Sequence, residues 1–183
     1  MIREIVRYGD PVLRAKGKPV GKITDEIREI AADMLESMCA VNGIGLAAQQ
    51  IGVPLQLAVI DISKVEDRPS TMSLNGTRVA PEKWMPMVLL NPKLERGTER
   101  ELGSEGCLSF PEISADIDRA LAVKATARLI DGSEIEFEAS GLLARALQHE
   151  HDHLQGILFI DRMNSATKAG LAGKLKRLQK ERL

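Results

Sequence analysis

One nine-residue stretch, Gln148-His149-Glu150-His151-Asp152-His153-Leu154-Gln155-Gly156, constrains this chain more than any other, because it holds all three of its histidines. Within it, His149, Glu150 and His153 form the pattern His-Glu-x-x-His. Residues four apart on an α-helix lie about 40° apart around the axis, so two imidazoles can meet one ion, with Glu150 beside them. A catalytic metal centre needs a third protein ligand and an open position for water. His151 is about 200° around the helix from His149 and cannot supply that ligand.

Peptidases that extend the motif to His-Glu-x-x-His-x-x-Gly-x-x-His are matched as far as Gly156, but Phe159 stands at the last ligand position. A glutamate ligand downstream is also excluded, since the only Glu after His153 is Glu181, in a basic tail. The third ligand is therefore sought upstream. Cys107, in Glu105-Gly106-Cys107-Leu108-Ser109-Phe110-Pro111, is the best candidate, because thiolate binds first-row metals strongly. Cys39, at the end of a predicted helix, reads as a buried structural thiol.

The chain has 183 residues, enough for one domain with a substantial core, and residues 1–183 read as a single catalytic unit. With 25 Lys and Arg against 26 Asp and Glu, the whole chain has no electrostatic bias towards nucleic acid or an anionic membrane. No apolar run approaches the roughly 20 residues of a membrane span, and residues 1–7 lack the apolar core of a signal peptide. The expectation is a cytoplasmic protein.

Thr24 followed by Asp25 and Glu26 reads as a helix start, and Ile27, Ile30, Ala31, Met34, Leu35 and Met38 recur at helical spacing over 24–40. Gly43-Ile44-Gly45-Leu46-Ala47-Ala48-Gln49-Gln50 fits either a tight loop before a strand or a loop facing a ligand. Residues 55–62 follow as a buried strand. Residues 63–86 are a polar surface excursion with a hairpin at its tip, turning at Asn75-Gly76, and the strand 87–90 is stopped by Asn91-Pro92. Val123, Ala125, Ala127 and Leu129 alternate with polar residues, Asp131-Gly132 turns the chain, and Ile135, Phe137 and Ala139 alternate on the return, which predicts a hairpin. Ser140 is expected to cap the motif helix, which should end near Gly156. Residues 165–183 read as a second helix, apolar at Leu171, Leu175 and Leu178 and basic elsewhere.

Three segments together resemble peptide deformylase. Gly43-Ile44-Gly45-Leu46-Ala47-Ala48-Gln49-Gln50 is similar to that family's first motif, Glu105-Gly106-Cys107-Leu108-Ser109 matches the second, and Gln148-His149-Glu150-His151-Asp152-His153-Leu154 the third. The resemblance implies an α+β fold, with antiparallel β-sheets packed around a central metal-binding helix and a C-terminal helix. It implies Cys107, His149 and His153 as ligands of Fe(II), with Zn(II) or Ni(II) able to take the site in isolated protein. It implies hydrolysis of the N-formyl group from N-formylmethionyl nascent peptides, releasing formate. Glu150 would move the proton, while the Gln50 amide and the Leu108 backbone N–H would bind the oxyanion. On the same grounds Ile44, Leu142 and Ala146 line a methionine pocket, and Gly45 and Gly106 pair with the peptide backbone. Asp152 is expected to pair with Arg119. The basic C-terminal helix is similar to one by which some members dock on the ribosome. Two departures stand out: Ser114 lies where many members have a substrate-binding arginine, and residues 63–86 are longer than in compact members. A peptidase for internal peptide bonds would leave Cys107 and the glutamine loop unexplained. A non-catalytic metal protein would not need Glu150.

Overall fold

The computed structural model describes residues 1–181. Three α-helices and nine strands follow in the order α1 (Asp25–Ala40), β1 (Gly45–Ala47), β2 (Leu57–Ile60), β3 (Ser70–Leu74), β4 (Thr77–Val79), β5 (Met87–Arg96), β6 (Arg100–Cys107), β7 (Phe110–Ala120), β8 (Ala122–Arg128), β9 (Glu134–Gly141), α2 (Leu142–Leu154) and α3 (Ser165–Lys180). Seven strands form one antiparallel sheet in the order β1-β2-β5-β8-β9-β3-β4, and β6 and β7 form a separate hairpin. This is the expected α+β arrangement around the motif helix.

Local sequence explains most of these elements. Thr24 Oγ1 accepts from Ile27 N at 3.3 Å and starts α1. The predicted hairpin is β8–β9, with Val123, Ala125, Phe137 and Ala139 buried and Lys124 reaching Glu136 at 3.1 Å on the outer face. Four readings are corrected by the fold. Asn91-Pro92 does not end its strand: the register shifts between Leu90 and Lys93, Asn91 takes φ 50°, and β5 runs on to Arg96. The Asn91 side chain bonds the backbone of Val20 in both directions, so the bulge is built in rather than a defect. Residues 63–86 are more than a surface excursion, because β3 pairs with β9 inside the main sheet, while the turn at Asn75-Gly76 does join β3 to β4.

Ser140 does not cap α2; its hydroxyl meets that of Thr71. Instead Gly141 precedes the helix at φ 69°, where a Cβ would collide with the Pro69 carbonyl oxygen. Leu142 N then donates to that oxygen at 3.2 Å, and Leu143 N donates to Ser70 Oγ at 2.9 Å. A neighbouring strand thus supplies the cap that the local sequence lacks. Lastly, Cys39 is exposed rather than buried.

Every residue of α2 except His151 is buried. Leu143 and Leu147 join Met72, Leu89, Val123 and Phe137 of the main sheet in one cluster. Phe110, Ile117 and Phe159 form another, which Leu175 and Leu178 of α3 complete. Met34 and Met38 of α1 cover Leu46, Leu57 and Val59 in a third. The C-terminal helix is therefore part of the core; Arg182 and Leu183, at the end of the range predicted for it, lie outside the described residues.

Candidate metal centre and cleft

The main sheet holds α2 from one side and the β6–β7 hairpin closes on it from the other. Cys107 ends β6, so the hairpin carries its thiol to His149 and His153 on consecutive turns of α2. The ligand atoms of these three residues all lie within 4.8 Å of one another. Cys107 Sγ is 3.3 Å from His153 Nε2. His149 Nδ1 is 2.8 Å from Glu105 Oε1, which leaves Nε2 of that ring for an ion. Burial opposes a charge on His149, yet Cys107 and Glu105 hold its pKa well above the usual value, so the surroundings favour positive charge there. Burial keeps His153 neutral, its pKa well below the usual value. One cysteine sulfur and two imidazoles, converging within 4.8 Å, fit a divalent first-row ion.

Glu150 sits beside this triad with Oε2 buried and without a hydrogen-bond partner. Burial lifts its pKa to about 7. Gly45 of β1 makes the room, since a Cβ at 45 would collide with the Glu150 carboxylate. The small-residue loop is thus fixed by the glutamate it faces. Gln50, in the 3-10 turn Ala48–Ile51, accepts from Ala47 N at 2.9 Å and donates from Nε2 to Ser109 Oγ at 3.2 Å and Cys107 Sγ at 3.6 Å. Its amide nitrogen is thereby held at the centre. Leu108 lies in the two-residue turn between β6 and β7.

A cleft of about 880 Å³ opens over these groups. Ile44, Gly45, Gly106, Leu142 and Ala146 all line it, as do Leu108, Gln50 and Ser114. β1 is an edge strand of the main sheet, so the cleft has an open strand edge along one wall.

Beneath the ligands lies an ionic network that the sequence shows only in part. The Glu105 carboxylate accepts from Arg119 Nε and Nη2, both at 2.9 Å, and from Arg145 Nη1 at 2.9 Å. Arg119 Nη1 reaches Asp152 Oδ2 at 2.6 Å, which is the expected pair. Burial alone would raise both carboxyls, but Arg119 and His149 hold Glu105, and Arg162 and Arg119 hold Asp152, below the usual carboxylate range. Glu105 and Arg145 were not singled out from sequence. The signal was there: Arg145 lies four residues before His149 inside the apolar run Leu-Leu-Ala-Arg-Ala-Leu.

The sequence profile of the polypeptide deformylase family matches residues 2–169. The chain belongs to the peptide deformylase family. It is 41% identical over 180 residues to the peptide deformylase of Methylacidiphilum infernorum, covering 98% of this chain and 94% of that one. The peptide deformylase of Legionella pneumophila superposes with a TM-score of 0.82 at 32% identity, over 100% of this chain and 98% of that chain. That of Thermotoga maritima gives 0.76 at 35% identity, over 90% and 99%. Peptide deformylases remove the N-formyl group from nascent chains, and this member is a metal-dependent hydrolase of that kind.

Removing one partner from a buried ion pair costs about 3–5 kcal/mol, whereas an exposed pair contributes about 0–1 kcal/mol. Arg119→Met should therefore lower the urea midpoint far more than Arg100→Met, whose pair with Asp118 is about half exposed. Because the folded pKa values of Glu105 and Asp152 are depressed, their stabilisation is full above the ordinary carboxylate range, about pH 4, and is lost as pH falls through the folded values. Arg119→Met should lose part of that acid dependence, since Arg162 still holds Asp152 and His149 still holds Glu105. Equal midpoints for the two variants would contradict the network.

Proposed function

We propose that Cys107, His149 and His153 hold the metal, natively Fe(II) with Zn(II) or Ni(II) as substitutes, and that Glu150 carries the proton in hydrolysis of N-formylmethionyl peptides. The observation that carries this is the partnerless, buried Glu150 Oε2, next in the chain to His149, whose ligand atom converges with those of Cys107 and His153. A divalent ion held there supplies Lewis acidity to water and to the formyl carbonyl. Glu150, at about 7, is matched to taking a proton from water near neutral pH and returning it to the leaving amine. The Gln50 amide and the Leu108 N–H stabilise the oxyanion as the formyl carbon is attacked. For this the Gln50 amide turns one N–H away from Ser109 or Cys107.

Leu142 and Ala146, four apart on α2, face the cleft with Ile44 and take the methionine side chain, while the backbone at Gly45 and Gly106 pairs with the peptide. Residues 1–183 act as one catalytic domain, and a substrate made by translation places it in the cytoplasm. No described helix is long and apolar enough to cross a membrane. The exposed Lys168, Lys174, Lys176, Arg177 and Lys180 of α3 form a basic face suited to the ribosome.

Protein purified without oxygen and loaded with Fe(II) should release formate from N-formyl-Met peptides. Glu150→Gln should keep its metal and lose at least about 10²-fold in turnover. Cys107→Ala should lose the metal itself. Substantial turnover by metal-loaded Glu150→Gln would remove that residue from the role. For the ribosome, reversing Lys174, Lys176 and Lys180 to Glu is a better test than deletion, which would strip Leu175 and Leu178 from the core. Salt-sensitive co-sedimentation with ribosomes should weaken while formate release from free peptides is unchanged; unaltered co-sedimentation would refute the docking.

A further inference from the structure

The outer end of the ionic network is not balanced. Asp152 accepts four hydrogen bonds: from Arg119 at 2.6 Å and Arg162 at 3.1 Å on Oδ2, and from Arg162 at 2.9 Å and Arg96 at 3.5 Å on Oδ1. That fills the four lone-pair sites of a carboxylate. Deeper in, Glu105 is the one acid shared by Arg119 and Arg145. Four guanidinium groups thus surround two carboxylates, leaving two positive charges in surplus. Asp161 adds to the field at Arg162, but the closest contacts of the nearby acids go elsewhere. Asp161, beside Arg162 in the chain, is bound to Arg14, and Asp118 is bound to Arg100.

Arg145 and its share of the surplus are buried beside the cleft, and the rest lies where solvent reaches it. The Arg119 side chain is 3% exposed, whereas Arg96 and Arg162 are 34% and 40% exposed. Both converge on the same Asp152 oxygen, which fixes them as neighbours. Arg96 makes one contact with Asp152, at the long limit of a hydrogen bond, so most of its five N–H donors remain for another acceptor. Burial and the neighbouring Arg162, Arg119 and Arg100 pull its pKa below the usual arginine value in spite of Asp152. His151, next to Asp152 on α2, leaves its buried Nδ1 without a partner. A guanidinium pair with free donors and unneutralised charge is built to take a tetrahedral oxyanion.

We propose that Arg96 and Arg162 form an oxyanion site on the face of α2 away from the cleft, taking a phosphate group. Arg96 and Arg162 share the single charge of Asp152, and the positive charge left over at the exposed end matches an anionic phosphate group. The group is supplied by free inorganic phosphate or by the backbone of RNA. The site stands apart from the substrate cleft, which neither arginine lines. It is joined to the metal centre through Asp152, Arg119, Glu105 and His149.

The test is a titration of the metal-loaded protein, read by thermal unfolding at constant ionic strength, with chloride as the reference salt. Inorganic phosphate and a short RNA oligonucleotide are titrated separately against the parent, Arg96→Gln and Arg100→Gln. Arg96→Gln leaves Asp152 its shorter bonds from Arg119 and Arg162, so the fold is kept. A saturable rise in melting temperature is expected for the parent and for Arg100→Gln. In Arg96→Gln the half-saturating concentration should rise by about tenfold, the loss of one charge-assisted hydrogen bond. Tighter saturation by phosphate assigns the free anion, whereas tighter saturation by the oligonucleotide, reversed by phosphate, assigns an RNA backbone. Response to neither ligand, or equal response of the parent and Arg96→Gln, overturns the site.

Discussion

The Glu105 carboxylate is the contact on which the site depends. It lies two residues before Cys107 on β6, and it bonds Arg145 and His149 on α2 and Arg119 on β7. One buried anion thereby ties the strand that carries Cys107 to the helix that carries His149 and His153. Apolar packing could bring the hairpin and helix together, but hydrocarbon contacts are tolerant of sliding and repacking. Charge-assisted hydrogen bonds near 2.9 Å are not tolerant, and they set the register of β6 against α2.

The same contact acts on the chemistry. By accepting from His149 Nδ1, Glu105 fixes the tautomer and the ring orientation, and it raises the basicity of the nitrogen left for the ion. Burying that anion is costly in isolation, and the two arginines offset the cost. They in turn need their own partners. Arg119 uses Asp152, and Arg145 uses the carbonyls of Glu101, Gly103 and Ile117 at the base of the hairpin. Gly103 leaves room there, because a Cβ would sit 2.9 Å from the Arg145 guanidinium. Glu150 makes no hydrogen bond to this web, and its buried Oε2 has no partner.

The convergence of Cys107, His149 and His153 was legible because helical periodicity places the two histidines together and because a thiol upstream was the best candidate to join them. The hairpin β8–β9 was legible from its alternation. What escaped had non-local causes. The cap of α2 comes from Pro69 and Ser70 on another strand, so Ser140 looked like the obvious cap and was not. Asn91-Pro92 looked like a stop, but the bonds of Asn91 to Val20 make it a bulge. Glu105 and Arg145 are forty residues apart in the chain, and only the folded hairpin turns two charged residues into one buried pair. Gly45 read as a residue whose backbone meets the substrate; the space it leaves for Glu150 came only with the fold.

The most direct measurement of the central claim is X-ray absorption of the Zn(II)-loaded protein, which counts the atoms around the ion. A centre built by Cys107, His149 and His153 should show one sulfur at about 2.3 Å and two imidazole nitrogens at about 2.0–2.1 Å. A shell with no sulfur, or with a third imidazole, would contradict the assignment and return His151 to consideration.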